Sequence, residues 1–104
     1  MSAKFIRILR TSSSERYLVQ TAAGHDAAAL DIHYLADGRV AGTLCLFEGS
    51  GIKESEVPDL LQQIDEALLP DVSFKDHNLS FTVVVGNVLG NFEAGEAPKR
   101  KAKK

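Results

Sequence analysis

Two ionisable side chains, Asp31 and His33, have a spacing that could support acid/base chemistry. They stand two residues apart in a run of strand-forming residues, so both side chains point to the same face of the predicted strand. A carboxylate beside an imidazole can orient it for proton transfer, and such a pair can also begin a metal site. Because no nucleophile, cofactor loop or further ligand accompanies the pair, a small enzyme that uses His33 and Asp31 ranks last of three functional hypotheses.

Metal, thiol and phosphate-cradle chemistry each lack a necessary partner residue. A metal site needs three or four convergent ligands, and the other two histidines, His25 and His77, lie in predicted loops. Cys45 has no basic residue beside it to activate the thiol, which favours a packing role. Residues 49–51 (GSG) lack the spacing and the following lysine of a P-loop. We therefore predict a non-enzymatic protein that holds no metal ion and no cofactor.

Basic residues near the two ends of the chain favour another kind of chemistry, the binding of phosphate groups. Residues 1–20 carry a net charge of +3, residues 21–98 carry −10 and residues 99–104 (KRKAKK) carry +5, which together give the overall −2. Clustered lysines and arginines bind a nucleic acid backbone without reading its sequence, and aromatic rings beside them can stack on bases. The leading hypothesis is therefore association with single-stranded nucleic acid through a basic tail and the first strand. The residues predicted to bind are Lys4, Arg7, Arg10, Tyr17, Lys99, Arg100, Lys101, Lys103 and Lys104.

Two alternatives explain the same charges without a nucleic acid. The tail can serve solubility or contact the acidic body of its own chain, and cations on the first strand can protect a sheet edge from pairing with another chain. Alternation along that strand also separates Arg7 from Lys4 and Arg10, so one face cannot carry all three. The main rival hypothesis is a protein-binding adaptor or chaperone-like accessory protein that uses an acidic helix and an exposed sheet face.

The strands that must position these residues are predicted from alternation and turn residues. Residues 4–10 and 16–21 form a first hairpin around a polar loop. Residues 28–35 and 39–48 form a second hairpin around Asp37-Gly38. A three-residue loop over 36–38, with Gly38 left-handed, makes one face of this hairpin consistently apolar. That register sets Tyr34 opposite Val40, Ile32 opposite Gly42 and Leu30 opposite Leu44.

A helix and a last strand complete the pattern. Apolar residues recur at helical spacing over 55–69, with Pro58 in the first turn and Pro70 after the last turn. Residues 79–85 (LSFTVVV) then predict a strand. Residues 88–93 either form a further short strand or reach towards a partner.

These elements predict an α+β fold in the order ββββαβ. It comprises a mostly antiparallel sheet of five or six strands with one helix on one face, in a single domain over 1–94 followed by a disordered basic tail over 95–104. The element order resembles that of Whirly, PUR and coactivator-type single-strand-binding domains, many of which dimerise, although the strand at 79–85 departs from a single such unit. A homodimer is expected because a small domain buries a modest core and the open face carries Cys45 and Phe47.

The expected compartment is the cytoplasm. The chain has one cysteine, which cannot form an internal disulfide, and basic residues interrupt its only apolar run near the N-terminus. No stretch approaches the roughly 18 consecutive apolar residues of a membrane span, so no membrane partner is expected.

Overall fold

The computed structural model describes residues 2–70, 78–90 and 92–94. Within these ranges the elements are β1 (Ala3–Arg10), β2 (Ser14–Thr21), β3 (Asp26–Tyr34), β4 (Val40–Phe47), a 3₁₀ turn (Glu54–Glu56), α1 (Val57–Leu68) and β5 (Leu79–Gly86). The strands form one sheet in the order β1-β2-β3-β4-β5. Neighbouring strands are antiparallel from β1 to β4, and β5 pairs with β4 in parallel. The predicted α+β fold and its element order are confirmed.

Two predictions concern the C-terminal end of the chain. The further short strand does not form in the described part of that segment, residues 87–90 and 92–94. The basic tail over 95–104, with its five predicted nucleic-acid-binding residues, lies outside the described residues.

The β3–β4 hairpin has the predicted register. Tyr34 lies opposite Val40 and Leu30 lies opposite Leu44. The loop over residues 36–38 is closed by the Leu35 backbone N–H, which donates to the Arg39 carbonyl at 2.8 Å. Gly38 has a φ of 90°, a left-handed conformation that a residue without a Cβ adopts at low cost. Local turn chemistry and the apolar alternation therefore agree on one pairing.

The core lies between one face of the sheet and α1. Leu60 and Ile64 of the helix are fully buried against inward residues of the three central strands, which include Val19, Leu30 and Leu44. The Ala3 backbone N–H donates to the Gln63 side-chain oxygen at 3.1 Å, which ties the edge strand β1 to the helix. This arrangement fixes which face of each strand is covered.

Gly42 in β4 packs against an aromatic ring on the neighbouring strand. It pairs with Phe81 across the β4–β5 ladder, and the Phe81 ring lies where a Cβ on Gly42 would stand. The ring thus replaces the missing side chain on the covered face of the sheet.

Candidate binding surfaces

A β-bulge in β1 decides where the basic residues of the first strand point. Arg7 pairs with Tyr17, but the next paired residue is Leu9, opposite Arg16, so Ile8 is an extra residue in the strand. An extra residue reverses the alternation beyond it. The prediction that Arg7 and Arg10 lie on opposite faces is therefore wrong: both reach the carboxylate of Glu15 on the helix side of the sheet.

Glu15 is the centre of a polar cluster at the end of this covered face. Its residue is only 8% exposed. One carboxylate oxygen, Oε1, accepts a 2.6 Å hydrogen bond from the Tyr17 hydroxyl and a 3.4 Å bond from the Tyr34 hydroxyl. The other oxygen, Oε2, lies 3.8 Å from Arg7 Nη1 and 3.6 Å from Arg10 Nε. A carboxylate withdrawn from water is stabilised here by two hydroxyl donors and two cations.

The cluster changes the acidity of both tyrosines. Burial, followed by the hydrogen bond to Glu15 and the charge of that carboxylate, raises the pKa of Tyr17 to about 12. Burial and the charge of Glu15 also raise the pKa of Tyr34. Ionising either phenol would place a second negative charge beside Glu15, so both phenols are neutral donors at physiological pH.

The two arginines of the cluster are its exposed part. The side chains of Arg7 and Arg10 are 48% and 63% exposed, and they share a single carboxylate at distances beyond direct hydrogen bonding. Two guanidinium groups against one carboxylate leave one positive charge in excess. The pair can therefore attract an anion at the surface while Glu15 holds the two side chains near each other.

Of the other predicted nucleic-acid-binding residues that the structure describes, neither Lys4 nor Tyr17 adds to this basic pair. Lys4 pairs with Gln20, beside the inward pair of Phe5 and Val19, so it points to the opposite face of the sheet. Tyr17 is 7% exposed and its hydroxyl is engaged, which leaves no free ring face for a base. Stacking by Tyr17 is therefore not supported, and Phe5 also packs against the core.

Asp31 forms an ion pair with Arg16, whereas acid/base chemistry would require it to pair with His33. Its carboxylate accepts hydrogen bonds of 2.6 Å from Arg16 Nε and 3.3 Å from Arg16 Nη2 across the β2–β3 ladder. The hydrogen bond and the charge of Asp31 raise the pKa of Arg16. The neighbouring His33 is exposed. In the described part of the chain, no three His, Cys, Asp or Glu side chains lie close enough to hold a metal ion.

The face of the sheet opposite α1 carries an apolar row that crosses all five strands. Paired residues in register form this open-face row: Ile6, Leu18, Ala29, Cys45 and Val84. Ile6 and Val84 at the two ends are exposed, and the three residues between them are half-buried. The helix α1 packs on the other face of the sheet. Within the described residues, the α1 residues of the buried core, Leu60 and Ile64, both lie against that face.

A polar row borders the open-face row. It consists of the Arg16–Asp31 ion pair followed by Thr43 and Thr82. An apolar strip with a polar border is typical of a surface that meets another protein.

Comparison with known proteins identifies no relative, so the functional interpretation depends on this geometry. No family model, no curated protein and no solved structure matches the chain. Within the described ranges, no helix combines the length and the apolar character that crossing a membrane requires.

Sequence reasoning missed the Glu15 cluster and most of the open-face row. A signal for the cluster exists in β2, because alternation puts Glu15 and Tyr17 on the same face as the buried Val19. A charge at such a position needs partners from neighbouring strands. Those partners come from both sides of the bulge in β1 and from the end of β3, and periodicity within one strand does not reveal them.

Proposed function

We propose that this chain is a small non-enzymatic binding module that holds a protein partner against the open face of its sheet. The observation that carries the proposal is the open-face row, which runs in register from the edge strand β1 to the edge strand β5. Neighbouring strands are about 4.8 Å apart, so the row is about 19 Å long. It fits a partner with an apolar strip of that length.

The chemistry of the face favours a protein over other ligands. Burial of apolar surface is the main favourable contribution to most protein association, and the open-face row supplies such surface at all five strands. The bordering Arg16 and Asp31 already neutralise each other, so they add a polar edge without a strong field of one sign. A nucleic acid would need cations on this face, and Lys4 and Arg16 are its basic residues among those described.

Site-specific photo-crosslinking tests the proposal. A photoreactive residue is placed at Val84, at the end of the open-face row, and in a second variant at Gln62, an exposed position on α1. In the cells from which the chain comes, we expect position 84 to yield a discrete set of protein crosslinks that nuclease treatment does not remove. If position 84 captures no protein beyond those captured at position 62, the proposed function is refuted.

A second candidate function, binding of single-stranded nucleic acid, is favoured by one observation. The bulge in β1 brings Arg7 and Arg10 together with an excess positive charge and substantial exposure. The basic residues of 99–104 would add electrostatic attachment without sequence preference.

Titration of labelled single-stranded DNA and RNA at low and moderate salt tests this candidate. The full chain, a version ending at Pro98 and an Arg7→Gln/Arg10→Gln variant are compared. Binding that weakens with salt and falls in both altered forms supports the candidate. Absence of binding by the full chain at low salt would eliminate it.

A further inference from the structure

An apolar groove opens between the start of α1 and the ends of β4 and β5. Its volume is about 460 Å³. Among the described residues that line it, Glu54 is the charged one and the others are apolar. The apolar lining residues are Leu46, Ile52, Val57, Pro58, Val83 and Val85. A groove of this size has room for several side chains of a docked segment.

Three apolar residues that follow β5 have no place in the core. Val88, Leu89 and Phe92, here called the arm, are all exposed, and Leu89 and Phe92 are 94% and 81% exposed. None of the three lines the groove. Large apolar side chains this close together and this exposed are typical of a segment that contacts a partner.

Hydrogen bonds to Glu48 hold the chain where it leaves β5. The Glu48 backbone N–H donates to the Gly86 carbonyl at 3.2 Å, and the Asn87 side-chain amide donates to Glu48 Oε1 at 2.9 Å. Val85 lines the groove, whereas the arm residues that follow it along the chain do not. The groove is therefore not filled by the arm of its own chain.

We propose that the arm of one copy docks in the groove of a second copy, and that the exchange is reciprocal. The two contacts are then related by a two-fold axis, which closes the assembly as a dimer. A buried Phe contributes roughly 150–250 Å², so the three arm residues offer about 400 Å². Two arms therefore lose about 800 Å² and the two grooves lose a smaller area, so the exchange buries on the order of 1,000 Å², the lower limit for a specific interface.

The occupant of the groove is therefore a second copy of this chain. This contact goes beyond the proposed function, because it uses the groove beside α1 and leaves the open-face row available to a different protein.

Cysteine pairing between separate chains tests the exchange directly. In a Cys45→Ser background, which removes the single native cysteine, a Leu89→Cys chain is mixed with a Val85→Cys chain and oxidised. We expect disulfide-linked heterodimers, since a disulfide requires Cα atoms within about 7 Å. Leu89→Cys mixed with Ser80→Cys, an exposed position on β5 outside the groove, is the matched control and should pair poorly. If a chain carrying both Leu89→Cys and Val85→Cys forms only an internal disulfide and the mixture forms none, the exchange is refuted.

Sedimentation equilibrium on the natural sequence gives a second, independent readout. The full chain should be a dimer, and Leu89→Ser/Phe92→Ser should weaken its association by at least about 30-fold, as expected for two central contact residues. Both residues are exposed within a single chain, so the variant should retain the wild-type circular dichroism spectrum. A monomeric wild-type chain, or an unchanged dimer in the variant, would overturn the proposal. Neither readout depends on the open-face row, so failure here and failure of the proposed function are distinguishable.

Discussion

The hydroxyl of Tyr17 offers the sharpest test of the Glu15 cluster. Tyr17→Phe removes the 2.6 Å hydrogen bond to the buried carboxylate but keeps the ring in the core. A hydrogen bond to a charged group contributes about 1.5–3 kcal/mol, so we expect the free energy of unfolding to fall by about 2 kcal/mol at neutral pH. Tyr34→Phe is the matched control: its bond to the same oxygen is 3.4 Å long and its side chain is more exposed, so about 0.5 kcal/mol should be lost.

Burial of the Tyr17 phenol, together with this bond, predicts a loss of stability at high pH. The pKa of Tyr17 is about 12 in the folded chain against 10.0 for an unperturbed tyrosine. Above pH 10 the unfolded chain releases the phenolic proton while the folded chain retains it, so stability decreases as pH rises. A rise of the pKa from 10.0 to about 12 corresponds to roughly 3 kcal/mol of stability, which is present in full below pH 10 and is lost as the pH rises towards 12. Tyr17→Phe should lack this component of the pH dependence, whereas Tyr34→Phe should retain it.

Urea denaturation followed by circular dichroism measures the stabilities, and phenolate absorbance measures the ionisation. The chain has two tyrosines and no tryptophan, so the absorbance of Tyr34→Phe reports Tyr17 alone. If that variant titrates near the ordinary tyrosine pKa, or if Tyr17→Phe costs no more than Tyr34→Phe, the reasoning about the cluster is refuted.

Three further predictions concern the sheet and its turns. Gly42→Ala should lower the free energy of unfolding by about 1–3 kcal/mol, because the new Cβ forces the Phe81 ring to move. Gly86→Ala is the control and should be near neutral, since its Cβ would lie 3.9 Å from the Cys45 sulfur. Equal effects of the two variants in thermal melts would contradict this packing. Gly38→Ala should cost about 1 kcal/mol because of its left-handed backbone, and an unchanged melting temperature would contradict the turn conformation. The exposed Arg16–Asp31 pair should show a coupling energy below about 1 kcal/mol in a double-mutant cycle, and a larger value would mean that the pair is shielded from water.

Much of the fold was predictable because local and long-range signals agree. Asp37-Gly38 specifies a turn, and apolar alternation on both sides of it permits one register that keeps a face apolar. The helical spacing between Pro58 and Pro70 likewise matches α1 closely. Alternation also identifies the buried face of β5, where Leu79 and Phe81 pack towards the core.

The bulge at Ile8 was not predictable, and the geometry of the basic residues depends on it. The stretch KFIRILR contains no glycine or proline to mark a break, so it reads as a regular strand. The irregularity appears only in the pairing with β2, where both Arg7 and Arg10 reach Glu15. The face that a charge occupies in an edge strand thus depends on the neighbouring strand as well as on its own alternation.

The open-face row was only partly foreseen for a similar reason. Cys45 and Phe47 were assigned to that face from their own strand. The row itself requires the register of four strand pairs, which aligns Ile6 on β1 with Val84 on β5. One strand contributes a single residue to it, so the feature exists only at the level of the whole sheet.

The most direct test of the central claim measures how tightly the protein captured at position 84 binds purified variants of this chain. Val84→Lys places a charge at the exposed end of the open-face row, and Ser80→Lys places the same charge on the same strand and face but outside that row. We predict binding at least about 30-fold weaker for Val84→Lys and wild-type binding for Ser80→Lys. Equal binding by both variants would contradict the claim that this row holds the partner.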